Sequence, residues 1–431
     1  MSSPARELLA SINGTEVGIL RSEANIWSFE YAATWVGSNA AFDLAPNLPR
    51  ATGKTIDGST QRPVQWFFDN LLPEEQARDV LAREASIDSG DAFSLLAYYG
   101  KESAGAIALL SRGEQPSEPG YRPLSDATLH DRISKLPGQS LSAESPKHMS
   151  NAGAQHKLAV CILEGSLFEP AGSTPSTHLL KPDHVDTDTW PSTVANEYFV
   201  MRLAAKVGLN VPSVQMRYVP DPVYLIERFD REILGEQTQR LHIIDACQLL
   251  GVDRTFKYQQ STLDNLIRAI GYCENRARSR LSILEWVLFN VLTGNGDAHL
   301  KNLSFRVNPG GAIQLAPFYD LLSTECYRAA YGNHPRWPDR ELSIPIGTAK
   351  TFGKVTRRDF LAFAGTLGVN VRAATRLVDR YTASIESFAD ELLAEFETID
   401  IPEKTIRAAQ ARVLSQVRHI AIREMAQRLR E

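Results

Sequence analysis

Hydrophobic residues along the chain follow two different spacings, which predict strands in its first half and helices in its second. Up to about residue 230, short apolar or alternating segments such as 158–163 and 223–230 are separated by turn residues. Beyond that point, longer segments repeat their apolar residues at helical spacing, and residues 402–431 form an amphipathic helix with a basic face. The pattern therefore predicts an α+β fold.

The same pattern predicts how the chain is divided. Asn13 and Gly14 predict a tight hairpin, and residues 74–84 predict a helix. A segment rich in Ser, Pro, Gly and Glu then predicts a linker. The predicted parts are a small amino-terminal domain over 1–110, a linker over 111–123, a strand-rich lobe over 124–230 and a mainly helical lobe over 231–431.

One polar loop lies between a predicted buried helix, 281–292, and a predicted hairpin. This loop reads Asp297-Ala-His-Leu-Lys-Asn302. The hairpin strands follow at 303–307 and 312–316, and Asp320 comes shortly after them. Because the two ends of a hairpin lie side by side, we expect Asn302 and Asp320 to be close together.

These polar residues fit the requirements of phosphoryl transfer. Asp297 would orient the attacking hydroxyl, while Asn302 and Asp320 would hold the Mg²⁺ that neutralises a triphosphate. The spacing of Asp297 and Asn302 is also that of the protein-kinase catalytic loop. Asp and Asn are common in ordinary loops as well, so this interpretation depends on the rest of the chain.

Candidate nucleotide-binding residues lie upstream. Residues 150–157 are mostly small, so their backbone N–H groups could approach phosphate oxygens, although an ordinary hairpin turn is the alternative. Lys181 ends the next predicted strand, where a kinase lysine contacts the phosphates. Glu197, in a helix predicted to begin near Thr193, either pairs with Lys181 or complements the helix N-terminus. The residues at the predicted adenine edge are Glu227, Arg228 and Phe229.

Composition excludes several classes of protein. The chain has no apolar run of about 18 residues and no signal-peptide core, so a soluble cytoplasmic protein without a membrane span is expected. Its cysteines are far apart, which predicts reduced thiols and no zinc site. They are Cys161, Cys247, Cys273 and Cys326. The net charge of −5 argues against extensive direct binding to DNA.

Together these motifs resemble the HipA family of bacterial serine/threonine kinases, the toxins of type II toxin–antitoxin pairs. The motifs of the kinase region are Ser150 with Ala152-Gly-Ala-Gln-His-Lys157, Thr177-His-Leu-Leu-Lys181, Ile226-Glu-Arg-Phe-Asp230, Asp297-Ala-His-Leu-Lys-Asn302 and Pro317-Phe-Tyr-Asp320. Similar amino-terminal motifs are Phe68-Asp-Asn-Leu-Leu-Pro73, Leu95-Leu-Ala-Tyr-Tyr-Gly100 and Ala104-Gly-Ala106. The resemblance implies a two-lobed protein-kinase-like fold, with a strand-rich first lobe and a helical second lobe, preceded by a small α/β domain.

The resemblance also implies residue roles. Asp297 is expected to be the catalytic base, and Asn302 and Asp320 the Mg²⁺ ligands. Ser150 is expected to be an autophosphorylation site that silences the kinase, because a phosphate there would repel a bound triphosphate. From the residues alone, a turn serine is the favoured interpretation of Ser150. The residues expected to contact ATP are Ala152, Gly153, Ala154, Gln155, His156, Lys157, Lys181, Glu227, Arg228, Phe229, His299, Lys301 and Tyr319.

The partners implied by the resemblance are ATP, a protein substrate such as an aminoacyl-tRNA synthetase, and a helix-turn-helix antitoxin of the HipB type that alone contacts DNA. His156 departs from the acidic residue or proline of many members and is expected to face solvent. A weakly active corepressor that mainly binds the antitoxin is the second hypothesis. A phosphotransferase of the aminoglycoside-kinase type is the third, disfavoured by Gly296 before Asp297 and by the amino-terminal domain.

Overall fold

The computed structural model describes residues 6–114, 117–150, 152–235, 237–330 and 341–431. Residues 115 and 116 of the predicted linker and residue 151 of the predicted phosphate loop lie outside the described residues. The chain forms two compact units, each assembled from separate stretches. The first unit contains Met1–Lys181, Ile226–Lys257 and Ser304–Ala316, and the second contains Pro182–Leu225, Tyr258–Leu303 and Pro317–Glu431.

The strands, in chain order, are β1 (Arg6–Ile12), β2 (Thr15–Glu23), β3 (Ile26–Tyr31), β4 (Lys54–Ile56), β5 (Ile107–Ser111), β6 (Gly120–Pro123), β7 (Leu158–Leu163), β8 (Ser166–Ala171), β9 (His178–Pro182), β10 (Val214–Tyr218), β11 (Pro222–Glu227), β12 (Arg231–Leu234), β13 (Gln237–Arg240), β14 (Ile243–Asp245), β15 (Ser304–Val307), β16 (Ile313–Leu315), β17 (Glu341–Ile346) and β18 (Ala349–Thr351).

The α-helices are α1 (Ala33–Val36), α2 (Pro63–Asp69), α3 (Glu75–Glu84), α4 (Ala92–Tyr99), α5 (Asp126–Ser134), α6 (Thr193–Val207), α7 (Ala246–Leu250), α8 (Leu263–Tyr272), α9 (Arg276–Thr293), α10 (Arg357–Thr366), α11 (Val371–Glu397), α12 (Lys404–Gln416) and α13 (Arg423–Arg430). Short 3₁₀ turns cover Arg50–Thr52, Arg254–Phe256, Leu300–Asn302, Glu325–Ala330 and Phe352–Lys354. Both units mix helices with strands, which confirms the α+β prediction.

The amino-terminal part of the first unit is an antiparallel sheet in the order β4-β3-β2-β1-β5. Its first turn contains Asn13 and Gly14, both with positive φ (48° and 81°), as the predicted hairpin requires. Apolar side chains of β3 and α2 are fully buried against each other, among them Phe29 and Phe68 with ring centroids 5.5 Å apart. This burial gives the amino-terminal part a hydrophobic core of its own.

A second antiparallel arrangement in this unit runs β6-β8-β7-β9. Its edge strand β6 occupies part of the predicted linker, because Gly120–Pro123 pair with Phe168–Ala171 of β8. The last four residues of the predicted linker therefore form a strand, which their Pro and Gly content did not indicate. The sheet β14-β15-β16 completes the unit.

The predicted boundary near residue 230 does not coincide with the limits of the compact units. Residues 226–257 belong to the first unit, and β12 and β13 form a hairpin inside them. The apolar spacing gave no signal for this hairpin, since its sequence is mostly polar and two of its apolar side chains, Ile233 and Leu234, are exposed. The mainly helical stretch begins later than predicted.

The second unit is built around α9, whose carboxyl-terminal half is buried on all sides, as the apolar run 281–292 predicted. The long helix α11 and the terminal helices pack in the same unit. The predicted single helix over 402–431 is interrupted by a π-helical turn, Val417–Ile422, between α12 and α13. This turn buries Arg418, whose guanidinium pairs with Asp390 (2.6 Å) and Glu386 (3.0 Å), and a regular helical repeat could not predict it.

The four cysteines are buried and form no disulfide, as predicted. Among the helices of the described ranges, none combines the length and the apolarity that a membrane crossing demands.

Candidate active site

The loop after α9 is fixed by a network of asparagine side chains. The helix ends at Gly294, whose φ of 68° permits the sharp exit. The side-chain amide of Asn295 donates to Oδ1 of Asn290 (2.8 Å), and its own Oδ1 accepts from the backbone N–H of Asp297 (3.0 Å). Asp297 is thereby held by the buried end of a rigid helix.

Asn302 closes the same loop. Its Nδ2 donates to the backbone carbonyl of Asp297 (2.8 Å) at the end of the 3₁₀ turn Leu300–Asn302, and the residue is buried. The Leu300 N–H, at the start of the turn, donates to the Ser261 hydroxyl (2.9 Å) and fixes this end of the turn. Because the nitrogen of the Asn302 amide makes the internal hydrogen bond, Oδ1 is the atom of this amide that can bind a cation.

The segment that carries Asp320 is anchored in the same unit. The Tyr319 hydroxyl donates to the carbonyl oxygen of Lys301 (2.8 Å), which joins this segment to the loop 297–302. Asp320 is half-buried and has a φ of 58°, a left-handed conformation that Asp and Asn tolerate better than most residues. Further along, the buried side chain of Asn196 on α6 bonds both the N–H (2.9 Å) and the carbonyl (2.7 Å) of Ser323.

Two acidic residues act on the pKa of the buried Tyr224. Burial raises the pKa of Tyr224 well above its usual value, and the charges of Glu197 and Asp320 raise it further. Glu197 is buried, and α6 has no acidic residue in its first turn, so the alternative that Glu197 complements the helix N-terminus is wrong. Its pairing with Lys181 stays a prediction.

Oxygen donors of this kind suit Mg²⁺. The amide oxygen of Asn302 and the carboxylate of Asp320 are hard ligands, and Mg²⁺ in phosphoryl-transfer sites takes one or two such groups together with substrate phosphates and water. Over the described ranges, no group of three or more His, Cys, Asp or Glu side chains is placed to hold a metal ion. The donor set fits an ion whose coordination the nucleotide completes, and it does not fit a cage made by protein alone.

In the first unit, the start of the predicted phosphate loop is buried. Ser150 is fully buried, and its hydroxyl donates to the carbonyl oxygen of Leu71 (2.5 Å). Gly153 has a φ of 105°, a conformation that residues with a Cβ rarely adopt, so the loop depends on glycine here. Lys157 donates to the carbonyl of Ala152 (2.5 Å), which folds the loop back on itself.

The other predicted nucleotide contacts of this unit differ in exposure. Lys181 is buried at the end of β9, while Glu227 is exposed at the end of β11 and Phe229 is half-buried. The guanidinium of Arg228 binds Asp230 through two bonds (2.9 and 2.7 Å). Its backbone N–H donates to the carbonyl of Thr177 (2.9 Å), and its carbonyl accepts from the N–H of Arg231 (3.2 Å), so the predicted contact of Arg228 with adenine stays a prediction. His156 is half-buried, and its expected orientation toward solvent stays a prediction.

The predicted site residues are thus divided between the two units. The first unit holds Ser150, residues 152–157, Lys181, Glu227, Arg228 and Phe229, and the second holds Glu197, Asp297, His299, Lys301, Asn302, Tyr319 and Asp320. Within the second unit, the structure joins Asp297 to Asn302 and Lys301 to Tyr319 by hydrogen bonds. A single site made from both sets stays a prediction.

Two further residues of the second unit, Tyr258 and Ser261, contact the loop 297–302. The hydroxyl of Tyr258 donates to Oδ1 of Asp297, and the ring packs edge-on against His299 with centroids 4.8 Å apart. Ser261 is almost fully buried where it holds Leu300. Tyr258 precedes Asp297 by 39 residues, so local spacing gave no signal for this contact.

In the first unit, sequence analysis also missed Glu102. Its backbone carbonyl accepts from the N–H of Ser150 (2.8 Å), while its carboxylate is fully buried among cations, including Lys147 (2.5 Å) and Arg231 (3.1 Å). Burial alone would raise the pKa of Glu102, but the charges of Lys147, Arg231, Arg240 and Arg228 lower it well below its ordinary value. The carboxylate therefore remains ionised next to the phosphate loop.

Comparisons with known proteins agree with these observations. The family described as HipA-like C-terminal domain matches residues 149–389, and that described as HipA N-terminal domain matches residues 8–110. The serine/threonine-protein kinase toxin HipA of Shewanella oneidensis is 33% identical over 327 residues, covering 70% of this chain and 71% of that protein. The putative kinase Y4mE of Sinorhizobium fredii is 33% identical over 370 residues, covering 81% of this chain and 84% of the relative.

A solved structure shows the same fold. The complex of HipA and HipB of Shewanella oneidensis with operator DNA contains a chain that matches with a TM-score of 0.77 and 26% identity, covering 97% of this chain and 99% of that one. The predicted kinase-like α+β fold is thereby confirmed. The chain belongs to the HipA family of serine/threonine-protein kinase toxins.

Proposed function

We propose that this protein is an ATP- and Mg²⁺-dependent serine/threonine protein kinase that acts as the toxin of a toxin–antitoxin pair. The observation that carries the proposal is the hydrogen bond from Asn302 Nδ2 to the Asp297 carbonyl. It presents the amide oxygen of Asn302 and the carboxylate of Asp297 from one rigid loop, as phosphoryl transfer to a hydroxyl requires.

In this proposal, Asp297 accepts a hydrogen bond from the hydroxyl of a protein serine or threonine and aligns it for attack. Asn302 and Asp320 hold Mg²⁺, which neutralises charge on the phosphates when it is bound. Lys181 and the backbone of residues 152–157 contact the phosphates, and residues 227–229 contact the adenine. Because the transition state is loose, alignment and charge neutralisation provide most of the acceleration.

The proposal is tested by incubating the purified protein with γ-labelled ATP, first with Mg²⁺ and then with EDTA, alone and with a cell lysate. We expect label on protein only in the presence of Mg²⁺, and a much slower, residual transfer with Asp297→Asn. The matched control is Asp264→Asn, which changes a first-turn aspartate of α8 in the same unit and should leave labelling unchanged. No transfer by the unmodified protein to itself or to any lysate protein would contradict kinase activity.

A DNA-binding antitoxin of the HipB type is the proposed partner, supported by the likeness to the HipA chain of the HipA–HipB–operator complex. The same likeness supports the second candidate function, a corepressor that mainly binds the antitoxin. Growth assays separate the two. A kinase toxin arrests the growth of cells that lack its antitoxin, and its Asp297→Asn variant does not. A corepressor supports repression of the operator equally well with Asp or Asn at position 297.

We also propose that Ser150 is autophosphorylated and that this modification stops the kinase. The hydroxyl lies at the start of a loop proposed to bind phosphates, where about two added negative charges would repel a triphosphate. Phosphopeptide mapping after incubation with ATP tests the assignment. Phosphate found only at other residues would contradict it.

A further inference from the structure

We infer that Tyr258 is a positioning residue for phosphoryl transfer, which holds the Asp297 carboxylate in the orientation that accepts the substrate hydroxyl. The inference rests on the proposed kinase function and adds a residue to its machinery. The Tyr258 hydroxyl donates a hydrogen bond to Oδ1 of Asp297. A carboxylate has two oxygens, so one can be held by the protein while the other receives the acceptor hydroxyl.

The Asp297 carboxylate is within reach of solvent. The backbone of Asp297 is fixed by Asn295 and Asn302, and its side chain is 37% exposed. His299 Nε2 lies 3.6 Å from Oδ1, the oxygen that accepts the hydrogen bond from Tyr258. The hydrogen bond from Tyr258 favours one rotamer of this partly exposed carboxylate.

Tyr258 is itself held in place. Its ring packs edge-on against His299 with centroids 4.8 Å apart, and its carbonyl accepts from the N–H of Ser261 (3.0 Å). The Ser261 hydroxyl in turn accepts from the N–H of Leu300 (2.9 Å). The segment from Tyr258 to Ser261 is thus joined to the catalytic loop at both ends, so the phenol keeps its position relative to Asp297.

Exposure argues against a purely structural role for the phenol. Tyr258 is 46% exposed, so its ring contributes less to the core than a buried aromatic residue does. An exposed hydroxyl gains little stability from an internal hydrogen bond, because water offers an equivalent partner. The hydrogen bond from Tyr258 therefore serves mainly to align Asp297, because small displacements of a catalytic group reduce the reaction rate strongly.

The test compares the full-length protein with Tyr258→Phe, which keeps the ring, and Tyr258→Ala, which removes it. Tyr272→Phe is the matched control, a similarly exposed tyrosine (44%) at the end of α8. Initial rates of label transfer from γ-labelled ATP to the protein itself and to myelin basic protein, used as an artificial acceptor, give kcat and KM for ATP. We expect Tyr258→Phe to lower kcat about tenfold and to leave KM for ATP within about twofold, because alignment is lost while nucleotide binding is kept.

A double-mutant cycle distinguishes action through Asp297 from a separate effect. In an Asp297→Asn background, adding Tyr258→Phe should cause no further loss in the single-turnover rate. A full further tenfold loss in that background would overturn the inference. So would a wild-type rate for Tyr258→Phe with a slow Tyr258→Ala, which would assign the effect to ring packing. A faster Tyr258→Phe would show that the phenol competes with the substrate hydroxyl. If the unmodified protein transfers no label, the proposed kinase function itself fails, and this outcome is distinct from the others.

Discussion

The Ser150 hydroxyl donates a hydrogen bond to the carbonyl oxygen of Leu71, 2.5 Å away, in a fully buried position. The amino-terminal part of the chain thus holds the residue that we propose as the autophosphorylation site. A hydroxyl buried in this way cannot accept a phosphoryl group, so the segment around Ser150 must leave this position for modification. The added charge would then oppose the return of this segment, because burying an ionised phosphate away from water is unfavourable.

The first prediction follows from this contact. Ser150→Ala removes one buried hydrogen bond, and we expect the free energy of unfolding to fall by about 1 kcal/mol. The kinase activity of the variant should persist during prolonged incubation with ATP, whereas the unmodified protein should lose activity as phosphate accumulates. Intact-mass spectrometry and the rate of label transfer, followed in parallel, measure both effects.

Ser145→Ala is the control for this experiment, because the Ser145 hydroxyl is also buried and donates to Glu169 (2.6 Å). It should be destabilised to a similar degree and should still inactivate itself. Equal inactivation of Ser150→Ala and the unmodified protein would contradict the assignment of Ser150.

A second prediction concerns Glu102, which holds the backbone of Ser150 and neutralises buried cations. Glu102→Gln keeps the shape of the side chain but leaves Lys147, Arg231 and Arg240 without their common negative partner. Removing one member of a buried ion cluster is expected to lower the free energy of unfolding by about 3–5 kcal/mol. Urea unfolding followed by tryptophan fluorescence measures the change.

Glu114→Gln provides the comparison for Glu102. Glu114 pairs with Lys101 at the surface, where both side chains are about one-third exposed, so its loss should change stability by about 1 kcal/mol or less. A similarly small effect of Glu102→Gln would show that water reaches the cluster.

Much of this architecture could be predicted from the sequence, because local signals specified it. Asn13 and Gly14 predicted a hairpin through their tolerance of positive φ, and the apolar run of α9 predicted a buried helix. The spacing of Asp297 and Asn302 predicted a shared loop, since five residues of sequence separation allow a direct hydrogen bond within one turn.

The parts that could not be predicted depend on contacts between distant residues. Glu102 meets Arg231 across 129 residues of sequence, and Tyr258 meets Asp297 across 39. Neither pair follows a periodic pattern, and a glutamate or a tyrosine at these positions looks like an ordinary surface residue. The π-helical turn at Val417–Ile422 could not be predicted for a different reason. A π turn depends on packing that the helical repeat does not encode.

The third prediction concerns Asp320, whose φ of 58° determines which substitution is informative. Asn tolerates this left-handed conformation, so Asp320→Asn should remove the charge that binds Mg²⁺ and leave the melting temperature nearly unchanged. Asp320→Ala adds backbone strain of about 1–2 kcal/mol and should lower both activity and stability. Label transfer measures activity, and thermal unfolding measures stability. A large fall in melting temperature for Asp320→Asn would assign Asp320 a structural role.

The last prediction concerns the stability of the first unit in mild acid. His242 is buried, its Nε2 donates to the carbonyl of Leu44 (2.9 Å), and its ring stacks on Phe42. Burial lowers the pKa of His242 from 6.5 to about 4. The folded state therefore resists protonation that the unfolded chain accepts, and stability should fall by up to about 3 kcal/mol as the pH drops from 6.5 to 4.

His242→Gln keeps a donor for Leu44 and removes the titration, so its stability should decline less steeply than that of the unmodified protein between pH 6.5 and 4.5. Glu102 and Asp230 do not affect the slope in this range. Burial acts to raise the pKa of each carboxyl group, but neighbouring cations outweigh burial and lower the pKa, in Asp230 to about 2. The stability that these two carboxylates provide is therefore lost only below about pH 4.5. Burial raises the pKa of Asp183 to about 6, so protonation of Asp183 stabilises the folded state as the pH falls through this range. Both proteins contain Asp183, so its effect cancels when their slopes are compared. Urea unfolding midpoints at several pH values measure the two slopes, with the exposed His419→Gln as control. Parallel slopes for His242→Gln and the unmodified protein would show that His242 is solvated in solution, since only a dry imidazole couples folding to its protonation in this way.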